Sequence, residues 1–147
     1  MAPPDERAWR RLADGDHAVL ATVHPARGVD AVPVVYAVHD GHVGIPIDLI
    51  KPKSSTRLQR ERNLAADPRA TLLVEHWDAD DWTRLWWVRA ELRWVGEDAA
   101  GREDALAELL EQRYAQYAGR PFARILVLRV VRLTGWSAAV SPDVDGA

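Results

Sequence analysis

The sequence predicts a mainly β protein, a small β-barrel with helices at its periphery. Three observations carry this reading. Apolar runs of strand length recur along the 147 residues, separated by turn signals. Most of these runs are joined by short turns, so the regular strand–helix alternation of a doubly wound sheet is missing. Helical periodicity occurs in only three places: at the start, after the third strand and before the last.

Asp5 to Ala13 has Asp5 as a possible cap and Ala8, Trp9 and Leu12 on one face, which predicts a short amphipathic helix. His17 to His24 reads as the first strand and Pro25-Ala-Arg-Gly28 as a turn. Asp30 to His39 reads as the second strand, and Pro33 assigns it to an edge or a bulge because proline cannot donate to a ladder. Asp40-Gly41 is a hairpin signal leading into a third strand, His42 to Ile47. A loop at 48–53 and a basic helix over about 55–65 follow, closed by Asp67-Pro68. Thr71 to Trp77 is the fourth strand, Asp78-Ala-Asp-Asp81 an acidic turn, and Leu85 to Val95 the fifth strand. In the fifth, Trp86, Val88, Ala90, Leu92 and Trp94 alternate with Trp87, Arg89, Glu91 and Arg93. A helix over 102–117 carries Leu106, Leu109, Leu110, Tyr114 and Tyr117 as its stripe and ends at Gly119 and Pro121. Arg124 to Trp136 is the sixth strand. The reading is one domain over 1–147, with 1–4 and 141–147 expected to be flexible.

Composition narrows the function. With 48% hydrophobic and 28% charged residues the chain is ordinary for a soluble globular protein. It has no cysteine, hence no disulfide, thiolate metal site or cysteine nucleophile. No stretch approaches the roughly 18 apolar residues of a membrane span, and the N-terminus lacks a signal-peptide core, so a cytoplasmic location is expected.

Charge is distributed unevenly. There are 17 arginines but only two lysines, and both lysines lie in Lys51-Pro-Lys-Ser-Ser55, just ahead of Arg57, Arg60 and Arg62. Residues 51–69 hold six basic and two acidic side chains, net +4, so the remainder is −7 within a total of −3. A basic island on an acidic chain suits one multiply charged anion and argues against a nucleic-acid-wide or membrane-wide field. Lys51 and Lys53 can act as point charges, and Ser54, Ser55 and backbone amides as directional donors at a helix N-terminus. A solvated loop with an ordinary Ser N-cap accounts for the same residues. Arg57 and Arg60, three apart, share a helix face and can grip one anion.

Trp86 and Trp87 fall on opposite faces of one strand. Only one can be core, and the other either lines a groove or meets another subunit. His39-x-x-His42 supplies too few ligands for tetrahedral zinc, so no metal is expected. No G-x-S-x-G elbow, P-loop or G-x-G-x-x-G fingerprint occurs.

Taken together, Ala18 to Val23, the valine run ending Val34-Val-Tyr36, Lys51-Pro-Lys53, Arg57, Arg60-Glu-Arg-Asn-Leu64 and Asp67 to Val74 resemble the split-barrel flavin and deazaflavin family related to pyridoxamine-phosphate oxidase. Asp81 to Arg89 is similar to an actinobacterial branch assigned to the deazaflavin coenzyme F420. The likeness runs from about residue 8 to 136. It implies a six-stranded split β-barrel of FMN-binding type, a homodimer with its cofactor at the subunit interface, and hydride transfer between F420 and a small organic acceptor. Implied cofactor contacts are Lys51, Lys53, Ser54, Ser55, Arg57 and Arg60 toward the tail, Asn63 near the cofactor, and Val34, Tyr36, Trp86 and Trp87 near the ring, with Tyr36 as a candidate proton donor to the product. FMN, or a non-catalytic flavin-binding role, is the alternative within the same fold. No catalytic acid–base pair is expected, because in this chemistry the cofactor carries the hydride step.

Overall fold

A computed structural model describes residues 6–48, 58–99 and 101–139. Seven antiparallel strands form one sheet: β1 (Ala18–His24), β2 (Gly28–Val34), β3 (Ala37–His39), β4 (His42–Asp48), β5 (Arg69–His76), β6 (Trp86–Trp94) and β7 (Phe122–Ser137). Their order is β2-β1-β5-β6-β7-β4-β3. The two edge strands, β2 and β3, are therefore consecutive in sequence and separated only by Val35 and Tyr36. Two residues span at most about 7 Å of extended chain. The sheet must curl until its edges approach, which makes a barrel that stays split where β2 and β3 do not pair.

The predicted second strand thus becomes two. Its break falls where neighbouring residues enter different cores: Tyr36 packs inside the barrel, Val35 against a second cluster under α3 (Arg102–Arg113). Pro33 does lie on an edge strand, as expected, opposite Val19. Asp40 and Gly41 both have positive φ, 50° and 70°, the backbone a two-residue hairpin between right-twisted strands requires.

The barrel interior is built from alternate residues of every long strand, among them Leu20, Val43, Ile45, Leu72, Val88, Ala90 and Leu128. Helix α1 (Glu6–Asp14) closes one end with Ala8 and Leu12. Strand β4 and residues 125–128 of β7 are buried on both faces, because Ile125 and Val127 point outward under Leu106 and Leu110 of α3. Gly44 belongs to this contact: a Cβ there would come within 2.8 Å of Leu106, so α3 sits directly on the β4 backbone.

Helix α3 ends at Arg113, four residues short of the predicted boundary. Tyr114 is extended and its hydroxyl donates to the Asp16 carbonyl at 2.7 Å, while Arg113 donates to the carbonyls of Ala13 and Asp14 at the end of α1. These tertiary bonds pull the chain out of the helix, and a single 3₁₀ turn, Ala115–Tyr117, follows. Among the described residues, no helix is long and apolar enough to cross a membrane.

Candidate functional site

Helix α2 (Gln59–Ala66) lies between β4 and β5. Leu58, in extended conformation, precedes its first turn, and Glu61 Oε1 accepts from the Leu58 N–H at 3.1 Å. The helix therefore begins at Gln59. The Ser N-cap read from sequence, at Ser54 or Ser55, lies outside the described residues. An acidic side chain at the third helical position supplies the cap. Glu61 is buried and receives two bonds from Arg124 of β7, at 2.5 and 2.7 Å. That pair fixes the helix against the barrel wall.

A second anchor is Asn63, fully buried. Its amide donates to Thr22 Oγ1 at 2.9 Å and Asp30 Oδ2 at 2.8 Å, and its carbonyl accepts from Gln59 at 2.9 Å. Thr22 and Asp30 are directly opposed across the β1–β2 pair, so the hairpin itself presents both acceptors to the helix. Arg27 in the turn forms a forked pair with Asp30 at 3.0–3.1 Å. The Asn63 hydrogen bond, partly offset by burial and helped by Arg27, lowers the Asp30 pKa. This helix, strand and turn enclose a groove of about 310 Å³ lined by Thr22, Arg27, Asp30, Leu58, Gln59 and Arg60, among others.

A separate groove of about 380 Å³ lies on the outer face of β5–β6–β7, with walls of Leu73, Trp77, Leu85, Trp87 and Trp136 and with Glu75, His76 and Arg89 at its margins. Trp87 and Trp136, cross-strand partners, stack with centroids 6.5 Å apart, and the Arg89 guanidinium lies 5.2 Å from the Trp87 ring centre. Trp86 faces inward against the barrel core, stacked on His76 at 5.9 Å and covered by Arg11 at 4.6 Å. One tryptophan of the pair is thus core-facing and the other groove-facing. Trp77, Trp82 and Trp136 are 60%, 66% and 47% exposed in the single chain.

The residues singled out from sequence scatter accordingly. Lys51, Lys53, Ser54, Ser55 and Arg57 lie outside the described residues. Arg60 lines the helix-end groove, and Trp86 and Trp87 line the aromatic one. Val34 and Tyr36 are in the barrel core instead of flanking a groove. The Tyr36 hydroxyl donates to the Leu12 carbonyl, and burial raises its pKa well above the ordinary tyrosine value. In the single chain Tyr36 is a strut between α1 and the barrel. Asn63 spends its polar atoms on the latch. The two grooves share no lining residue. Among the described residues no group of three or more His, Asp or Glu gathers as a metal site.

Sequence reading missed Thr22, Arg27, Asp30 and Gln59. The structure shortens the predicted turn to three residues, 25–27, and that register sets Thr22 opposite Asp30, two polar residues at inward positions of otherwise apolar strands.

Acid should expose the electrostatic part of this scaffold. Arg69, through its side chain and backbone N–H, holds the Asp67 carboxyl at about 2, and Asp30 is lowered as described. A depressed folded-state pKa gives stability that is present above the ordinary carboxylate value, 3.8, and lost as pH falls through the folded value. Melting temperature is expected to fall between about pH 4 and 2, and Arg69→Ala to flatten that decline. An unchanged pH profile in the variant would remove Asp67 from the account.

No family model matches the sequence, and no curated protein matches it. Solved structures do. An FAD-binding protein from Mesorhizobium loti aligns at TM-score 0.63 and 14% identity, over 90% of this chain and 92% of that one. A haem storage protein from Vibrio cholerae aligns at TM-score 0.62 and 11% identity, over 90% and 94%. An F420 reductase aligns at TM-score 0.56 and 23% identity, over 85% and 94%. The fold is a split β-barrel. Identities this low establish the shared architecture and leave the ligand to be argued from the site.

Proposed function

We propose that the protein is an F420-dependent oxidoreductase that passes a hydride between the deazaflavin and a small organic acceptor. The observation that carries this is the groove at the start of α2, lined by Arg27 and Arg60, on a helix that directly follows in sequence the segment with both lysines of the chain. Arg60 supplies a cationic wall, Arg27 a second one compensated by its forked pair with Asp30, and Gln59 and Thr22 neutral polar ones. A volume near 310 Å³ sits at the small end of ligand sites, so it suits part of a long cofactor, its phosphate-bearing tail, and not the whole. Lys51, Lys53, Ser54, Ser55, Arg57 and Arg60 hold that tail by charge and hydrogen bonding. The name of the F420 reductase with the same fold supports the reading.

When bound, F420 supplies the hydride chemistry. The chain's own contribution is orientation and exclusion of water. Trp87 and Trp136 offer a stacking wall, but on one chain that wall belongs to the other groove. A homodimer built on the outer sheet face would set the aromatic wall of one subunit against the helix-end groove of its partner. Val19 and Leu73, cross-strand partners 40% and 37% exposed on that face, favour such burial.

Titration of the purified protein with F420, FMN and haem, each followed optically, tests the reading. F420 is expected to bind, and Lys53→Ala with Arg57→Ala to weaken that binding while the melting temperature stays nearly unchanged. Preference for FMN or haem would reassign the ligand. Binding of F420 without turnover across a panel of acceptors would make the protein a carrier.

A further inference from the structure

The strand registers set Arg69 of β5 opposite Arg93 of β6, and Arg93 opposite Arg129 of β7. Directly opposed residues share a sheet face, and like charges so placed destabilise the pairing. Neighbouring strands are about 4.8 Å apart, so the three arginines start from backbone positions within about 10 Å. Arg69 is neutralised by Asp67, 2.7 Å away. Arg93 and Arg129 are both exposed, and among the described residues neither makes an ion pair or a hydrogen bond. Farther along β7, Val131 bulges out of register and Arg132 turns to Glu91 at 3.7 Å. Four arginines thus face two carboxylates here, on a chain whose net charge is −3. Arg69 and Arg93 also line a groove of about 480 Å³ with Glu91, Val29, Thr71 and Val131, and Arg129 flanks Arg93 just outside it on the next strand.

We propose that this arginine row binds a small molecule carrying two or more oxyanion groups, phosphate or carboxylate, bridged by Arg93 and Arg129. Planar guanidinium groups on adjacent strands can each offer a fork to one oxyanion, and the anion removes the repulsion the empty row carries. The apolar margins, Val29 at 68% and Val131 at 56% exposure, suit a ligand with an uncharged body and do not suit a nucleic-acid backbone. The site does not rest on the F420 reading, since its arginines lie on β5–β7 and its groove shares only Thr22 with the one at the start of α2.

The experiment is calorimetric titration in chloride buffer at low ionic strength with tripolyphosphate and, separately, with triglutamate, for the full chain and for Arg93→Gln with Arg129→Gln. At least one probe is expected to bind the unaltered chain, and the double variant to bind it about tenfold more weakly or worse. Without ligand the double variant is expected to melt at a higher temperature, because a purely structural arginine pair would do the reverse. The ligand-induced rise in melting temperature is expected to vanish with the arginines. Response to tripolyphosphate alone identifies a phosphate-bearing ligand, and response to triglutamate alone a carboxylate-bearing one. Unchanged affinity in the double variant would move the anion to the lysine segment and overturn the proposal. So would binding of neither probe, or a change in oligomeric state alone, which would assign the row to a subunit contact.

Discussion

Glu61→Ala is expected to lower stability by about 2–4 kcal/mol, the loss of the α2 cap added to that of a charge-assisted pair whose arginine is 37% exposed. For a chain of this size that corresponds to a fall in melting temperature of roughly 5–15 °C. The reasoning rests on two jobs done by one carboxylate. It takes both Arg124 bonds, at 2.5 and 2.7 Å, with its own side chain only 7% exposed, and it caps α2 through the Leu58 N–H. Glu61→Gln keeps an oxygen for the cap but removes the charge, so it should lose about half as much. Thermal melts of both variants decide the matter. A shift below 2 °C for alanine would show that water replaces the pair at little cost, contrary to the burial of Glu61.

Asn63→Leu is expected to cost about 2–3 kcal/mol, because it leaves Asp30, Thr22 and Gln59 without the partner that joins them. Asn63→Asp is the sharper variant. It puts a second carboxylate where the amide now stands 2.8 Å from Asp30, so one of the two must take up a proton or be forced apart. The aspartate variant should be less stable than the leucine variant at pH 7 and recover relative to it toward pH 4. Parallel stability curves for the two would rule out the direct contact. Both should loosen the first turn of α2, and with it the groove lined by Gln59 and Arg60.

These two residues show what a sequence conceals. Asn63 reads from sequence as a polar residue near a helix end, with a resemblance that hints at a ligand. Its partners Thr22 and Asp30 are 41 and 33 residues away, and only the β1–β2 hairpin docking on α2 brings them together. Glu61 sits within an arginine-rich run and looks like part of a solvated face, yet Arg124, 63 residues on, makes it internal. Tyr36 closes a strand that looks suited to a ring, and the contact with Leu12 instead places it in the core.

Local chemistry alone determined the strands, the Asp40-Gly41 hairpin, the edge position of Pro33 and the alternation of β6, since each depends on backbone preferences and on a two-residue period that neighbours in sequence express. The basic island is likewise a property of the chain itself. Tertiary structure decided the seventh strand, the later start of α2, the early end of α3 and the fate of each polar side chain. It also lined up Arg69, Arg93 and Arg129, which are spread over 60 residues, into one row. The physical reason is common to all of these: burial and pairing are set by which distant segment docks, and the free energy of a charged or amide side chain depends more on that partner than on its neighbours in sequence.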